Sequence, residues 1–148
     1  MARISWDNYF MKMALLAAER STCVRRQIGA VLVRDNQILA TGYNGASAGL
    51  DDCLTLGCLR DELGIASGTR AEVCRAVHAE QNAIIQAAVH GVSIRGAVMY
   101  CTHSPCILCT KMMINARISR SVYRDEYSET EFKTLFDQAG IAYEKIFS

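Results

Sequence analysis

Near the N-terminus, apolar residues recur at three- and four-residue spacing: Trp6, Tyr9, Phe10, Met13, Leu16 and Ala17. That period predicts a helix from Trp6 to about Arg20, capped by Ser5 and burying this face. The pattern then changes. Ile28-Gly29-Ala30-Val31-Leu32-Val33 is an apolar run of strand length, Asp35-Asn36 a tight-turn pair, and Gln37 to Thr41 a returning strand. From Gly42 to about Cys74 the periodicity dissolves among six glycines (42, 45, 49, 57, 64 and 68), with a short helix predicted near Leu59 to Leu63. Loops of this length inside a domain are usually functional or tied down by something.

Order returns at His78-Ala79-Glu80, which opens a helix ending at Gly91. A strand follows from Gly96 to Cys101, then a helix to about Arg117 with Pro105 suited to its first turn. Ser119 to Tyr123 reads as a strand, about Glu129 to Ala139 as a helix stopped by Gly140, and Ile141 to Phe147 as a last strand. The alternation predicts an α/β sandwich, with helices on both faces of a sheet. Strand order is not legible from it.

Composition narrows the class of protein. A chain of 148 residues suits one domain, residues 1–148, and 51% hydrophobic with 21% charged residues is ordinary for a soluble globular protein. No stretch approaches the roughly 20 apolar residues that span a bilayer. The start, Met-Ala-Arg-Ile-Ser-Trp-Asp, lacks a basic-then-apolar signal segment. The expectation is therefore a cytoplasmic protein without a membrane partner. Net charge is +1, with cations scattered among acids, so no nucleic-acid footprint is expected and a small anionic ligand fits better.

Seven cysteines without a signal segment argue for metal binding rather than a disulfide framework. His78, Cys106 and Cys109 offer one imidazole and two thiolates, a donor set that suits zinc. Three protein ligands leave a fourth tetrahedral position open to water, as in a catalytic site. Glu80, two residues past the histidine, can reach that water without taking the metal. Both groups stand at predicted helix N-termini, where the dipole favours thiolate and carboxylate. The order His-x-Glu…Pro-Cys-x-x-Cys is the signature of zinc nucleobase deaminases.

With Gly42-Tyr43-Asn44-Gly45, Cys74-Arg75-Ala76-Val77-His78-Ala79-Glu80-Gln81-Asn82-Ala83-Ile84 and Ser104-Pro105-Cys106-x-x-Cys109 in view, the chain resembles the deoxycytidylate (dCMP) deaminase family over nearly its whole length. Its likeness is greatest to the bacterial late-competence-operon branch. The resemblance implies a three-layer α/β/α fold with a mixed five-stranded sheet. It also implies hydrolytic deamination of dCMP to dUMP, which supplies thymidylate synthesis. By the same resemblance, His78, Cys106 and Cys109 carry Zn²⁺ and Glu80 shuttles protons. Asn44 matches a sugar-binding position, and Tyr127 falls where relatives keep a ring near the base. Arg25 and Arg26 are candidates for the phosphate, Arg26 foremost. Gly42, Tyr43, Asn44 and Gly45 match an effector region where dCTP (with Mg²⁺) activates and dTTP inhibits. Relatives form homo-oligomers, hexamers or dimers, so one is expected here.

Cys23, Cys53, Cys58 and Cys74 flank or lie within the glycine-rich stretch, and four thiolates there could close a structural zinc site. The alternative is reduced, buried cysteines acting as small hydrophobes. Cys101, in a strand, belongs to the core. Two other functions compete with the main one: a deaminase of the same superfamily acting on another nucleoside or base, and a non-catalytic zinc module linked to competence. Retention of Glu80 favours catalysis, because a structural zinc needs no positioned acid.

Overall fold

The computed structural model describes residues 2–66 and 69–146; Gly68 of the glycine series and Phe147, at the end of the predicted last strand, lie outside them. The first helix, α1 (Trp6–Ala18), begins where Ser5 Oγ accepts the Asn8 N–H at 3.2 Å. Strands β1 (Gly29–Arg34) and β2 (Gln37–Tyr43) form the expected hairpin. Asp35 and Asn36 both adopt positive φ, 53° and 58°, which a two-residue turn of matching twist requires.

A five-stranded mixed sheet follows the order β2-β1-β5-β6-β7, the last three being β5 (Val98–His103), β6 (Arg120–Asp125) and β7 (Ala142–Lys145). β1 is antiparallel to both its neighbours, whereas β5, β6 and β7 run parallel. Side chains alternate across this sheet as the two-residue strand period demands. Val31, Val33, Tyr100 and Val122 pack with Phe10, Met11 and Ala14 of α1. On the opposite face, Ala30, Leu32, Met99, Cys101 and Tyr123 meet α4 (Ala79–Val89), α5 (Ile107–Asn115) and α6 (Glu131–Ala139) through Ala83, Met113, Phe132 and Phe136. The three-layer sandwich expected from the sequence is the fold.

The buried face of α1 keeps Phe10 and Met13 of the expected one but is rotated away from the rest. Trp6, Tyr9 and Leu16 are exposed, and Phe10, Met11, Ala14 and Ala18 face inward. Backbone proximity explains the rotation: a Cβ on Gly29 would lie 2.0 Å from Ala14 O and 2.5 Å from Ala18 N. Only small residues fit on the helix where the strand backbone comes this close.

In the stretch where the periodicity dissolves, the short helix expected near Leu59 to Leu63 is present as α3 (Leu59–Glu62), but the rest carries more structure than expected. β2 continues to Tyr43; β3 (Gly45–Ala46) pairs with β4 (Ala76–Val77), and α2 (Cys53–Leu56), α3 and a 3₁₀ turn (Ala71–Val73) lie between. Elements of two to four residues are too short to show a period.

Candidate active site

The β3–β4 ladder pairs Gly45 with Val77 and so places His78, the next residue, at the mouth of α4. His78 is the N-cap of that helix, and its backbone N–H donates to the Gln81 side chain at 3.1 Å. Capping the turn through Gln81 leaves the imidazole available to the interior. Gly42 brings β2 against the same turn, since a Cβ there would lie 2.4 Å from Ala79 O and 2.5 Å from Ala83 N. Asn82 closes the seam by donating to Tyr43 O at 2.8 Å.

Cys106 is the N-cap of α5, and Cys109 N–H donates to its sulfur at 3.4 Å. Pro105 therefore precedes the cap instead of occupying the first turn, where the sequence suggested it. His78 Nδ1 lies 3.2 Å from Cys109 Sγ and 3.5 Å from Cys106 Sγ. Among the described residues these three are the one set whose ligand atoms all lie within 4.8 Å of one another. Tetrahedral zinc with ordinary Zn–N and Zn–S bonds has ligand–ligand edges of about 3.6 Å, so the donor set fits the ion.

The electrostatics suit a cation as well. Hydrogen bonding from Cys109, with His78 assisting, draws the Cys106 thiol down to about 4, thiolate territory at neutral pH. The Cys109 thiol moves upward, through its bond to Cys106 and its burial. His78 is raised, chiefly by hydrogen bonding to Cys106. Glu80, in the first turn of α4, is only 5% exposed, and burial pushes its carboxyl up to about 7. A carboxyl poised there can both take and give a proton at physiological pH.

A cavity of about 420 Å³ opens onto these groups, bordered also by Arg25, Arg26, Asn44, Arg60, His103 and Tyr127. Asn44 is buried; its Oδ1 accepts Ile28 N–H and its Nδ2 donates to Arg26 O, both at 2.9 Å. Arg26 lies over the Tyr127 ring, 4.5 Å from its centroid, and His103 stacks on that ring at 5.2 Å. Ser104 Oγ accepts Tyr127 N–H at 2.9 Å, fixing this loop beside the cysteine turn. His103 and Arg60 escaped the sequence reading, and Ser104 entered it only as part of the cysteine motif, without a role. His103 adjoins that motif, a signal that could have found it; Arg60 had none.

Cys101 is buried in β5 as expected. Cys23, Cys53 and Cys58 are buried and Cys74 is half-buried. Burial raises the Cys53 thiol, and the neighbouring thiols of Cys23, Cys74 and Cys58 add to it, so the four share one region. Their sulfurs do not form a set within 4.8 Å comparable to the first. No helix among the described residues is long and apolar enough to cross a membrane.

Comparison with known proteins places this geometry. Residues 4–125 match the cytidine and deoxycytidylate deaminase zinc-binding region. ComE operon protein 2 of Bacillus subtilis is 43% identical over 147 residues, covering 99% of this chain and 74% of that protein. The deoxycytidylate deaminase of Schizosaccharomyces pombe is 39% identical over 140 residues, 94% of this chain but only 43% of the longer yeast protein. The dCMP deaminase of cyanophage S-TIM5, solved in complex with dCMP and dUMP, superposes with a TM-score of 0.82 at 33% identity, covering 99% of this chain and 100% of that one. This chain belongs to the cytidine and deoxycytidylate deaminase zinc-binding family.

Proposed function

We propose that the chain is a zinc-dependent hydrolase converting dCMP and water to dUMP and ammonia. The observation that carries this reading is a His78–Cys106–Cys109 donor set beside buried Glu80, in one cavity large enough for a mononucleotide. Zinc held by those three residues supplies the Lewis acidity that makes water nucleophilic near neutral pH. Glu80 takes one proton from the attacking water and delivers it to N3 of the cytosine as the C4–O bond forms. It then takes the remaining proton from the new C4 hydroxyl and gives it to the amine, so the C4–N bond breaks to leave the C4 carbonyl of dUMP and ammonia. Helix α4 holds the carboxyl in place while β5 and its neighbours exclude bulk water from behind it. Activity is expected to vanish on exhaustive chelation and return with Zn²⁺. Full dCMP turnover by metal-free protein would contradict the reading.

Around the metal, Asn44 positions the sugar with the N–H that its two backbone bonds leave over, and the Arg26–Tyr127 pair borders the nucleotide. A second, structural zinc on Cys23, Cys53, Cys58 and Cys74 belongs to the same reading. What supports it is the shared neighbourhood of the four thiols. Two zinc ions per chain in freshly purified protein are expected; one per chain would count against it. Control by dCTP with Mg²⁺ and by dTTP at Gly42 to Gly45 rests on the family resemblance and on the exposed Tyr43 ring. Kinetics indifferent to both nucleotides would remove it. Assembly into a homo-oligomer is supported by exposed apolar residues on α4 and α5, among them Ile85, Val89, Leu108 and Met112. The cytoplasm is the proposed location.

A further inference from the structure

A nucleotide deaminase needs a group that distinguishes a nucleotide from a nucleoside, and the arginines expected from the sequence are largely engaged. Arg25 directs Nε and Nη2 at Asp61 Oδ1, and Nη2 also donates to Ile65 O at 2.9 Å. Arg26 lies over Tyr127. Arg60 stands apart from both. It belongs to α3, borders the same cavity as His78 and Glu80, and donates through Nη1 to Thr69 O at 3.1 Å. Its Nε is buried with no hydrogen-bond partner among the described residues. Arg25 also has a buried unpartnered nitrogen, Nη1, but its Nε and Nη2 are both spent, so it keeps no free Nε–Nη2 edge.

The Nη1 bond leaves the Nε–Nη2 edge, the fork with which a guanidinium grips a phosphate through two parallel hydrogen bonds. The carboxylates of α3 serve other arginines: Asp61 pairs with Arg25, and Glu62 lies 3.9 Å from Arg75. A charged donor buried without an acceptor is costly, and an oxyanion in the cavity removes that cost. We propose that Arg60 is the specificity residue that recognises the 5′-phosphate of the substrate. This deepens the dCMP reading and rests on it.

The test compares zinc-loaded wild type, Arg60→Gln and Arg60→Lys on dCMP and deoxycytidine. In Arg60→Gln, kcat/KM for dCMP is expected to fall about 10- to 100-fold, mostly through KM, with deoxycytidine unchanged. Arg60→Lys restores part of the loss, since it keeps the charge without the fork. An unchanged ratio between the two substrates overturns the proposal. So does an equal fall for both, which marks a structural residue. If wild type turns over neither substrate, the dCMP reading fails, and Arg60 is judged by equilibrium binding of dUMP against deoxyuridine. A dUMP preference lost in Arg60→Gln upholds the assignment. A preference kept in the variant, or absent from wild type, overturns it.

Discussion

At the scale of single residues, the chemistry concentrates on Glu80. Its carboxyl is buried beside three metal donors, and its raised proton affinity comes first from desolvation. Glu80→Gln preserves shape and leaves the donors untouched. It is expected to retain zinc while losing at least about 10²- to 10⁴-fold in kcat, the usual range for a positioned acid–base. Metal analysis beside a turnover assay checks this, and appreciable residual activity would remove Glu80 from the role. Gly42 is a structural counterpart. Any Cβ there meets the backbone of α4 at Ala79 and Ala83. Gly42→Ala is expected to destabilise by about 1–3 kcal/mol, read by urea unfolding, because backbone cannot yield as a side chain can. An unchanged midpoint would show that α4 does not sit on β2 as described.

At the scale of elements, α1 is fastened across the sheet by a polar cluster beside its apolar face. Arg120 of β6 grips both Asp7 oxygens at 2.9 Å, and Tyr100 OH donates to the same carboxylate at 2.7 Å. Arg120 holds Asp7 below the usual carboxylate range. Its contribution is therefore complete above the unfolded pKa of about 4 and is lost as pH falls through the lower folded value. Asp7→Asn is expected to cost about 1–2 kcal/mol at pH 7, allowing for the partial exposure of the pair. The difference from wild type should narrow towards pH 3; a gap independent of pH would contradict the cluster. The same helix shows what sequence could not tell. Its period was plain, but two apolar stripes competed, and the close approach of Gly29 decided for Ala14 and Ala18 over Trp6 and Leu16. The hairpin, by contrast, was legible because Asp35-Asn36 states its own turn geometry.

At the scale of the whole molecule, the metal donors were legible because two short motifs carry them on helix caps, whose chemistry is local. The cavity wall was legible only in part: Arg25, Arg26, Asn44 and Tyr127 came with the family resemblance, and Arg60 did not. Arg60 reaches the site through a four-residue helix inside a stretch of glycines, and tertiary contacts alone put it near His78. The β3–β4 ladder was hidden for the same reason, being two residues on each side. Metal should also link site and fold: a ligand that binds only the native state stabilises it by mass action. Chelation is expected to lower the unfolding temperature by several degrees, reversibly on adding Zn²⁺; scanning calorimetry would show no shift if the donors held nothing. The most direct test of the central claim is ammonia release by zinc-loaded protein with dCMP, deoxycytidine, CMP and dCTP side by side. A strong preference for dCMP is the expected result. No turnover of any of the four, with zinc bound and the fold intact, would contradict it.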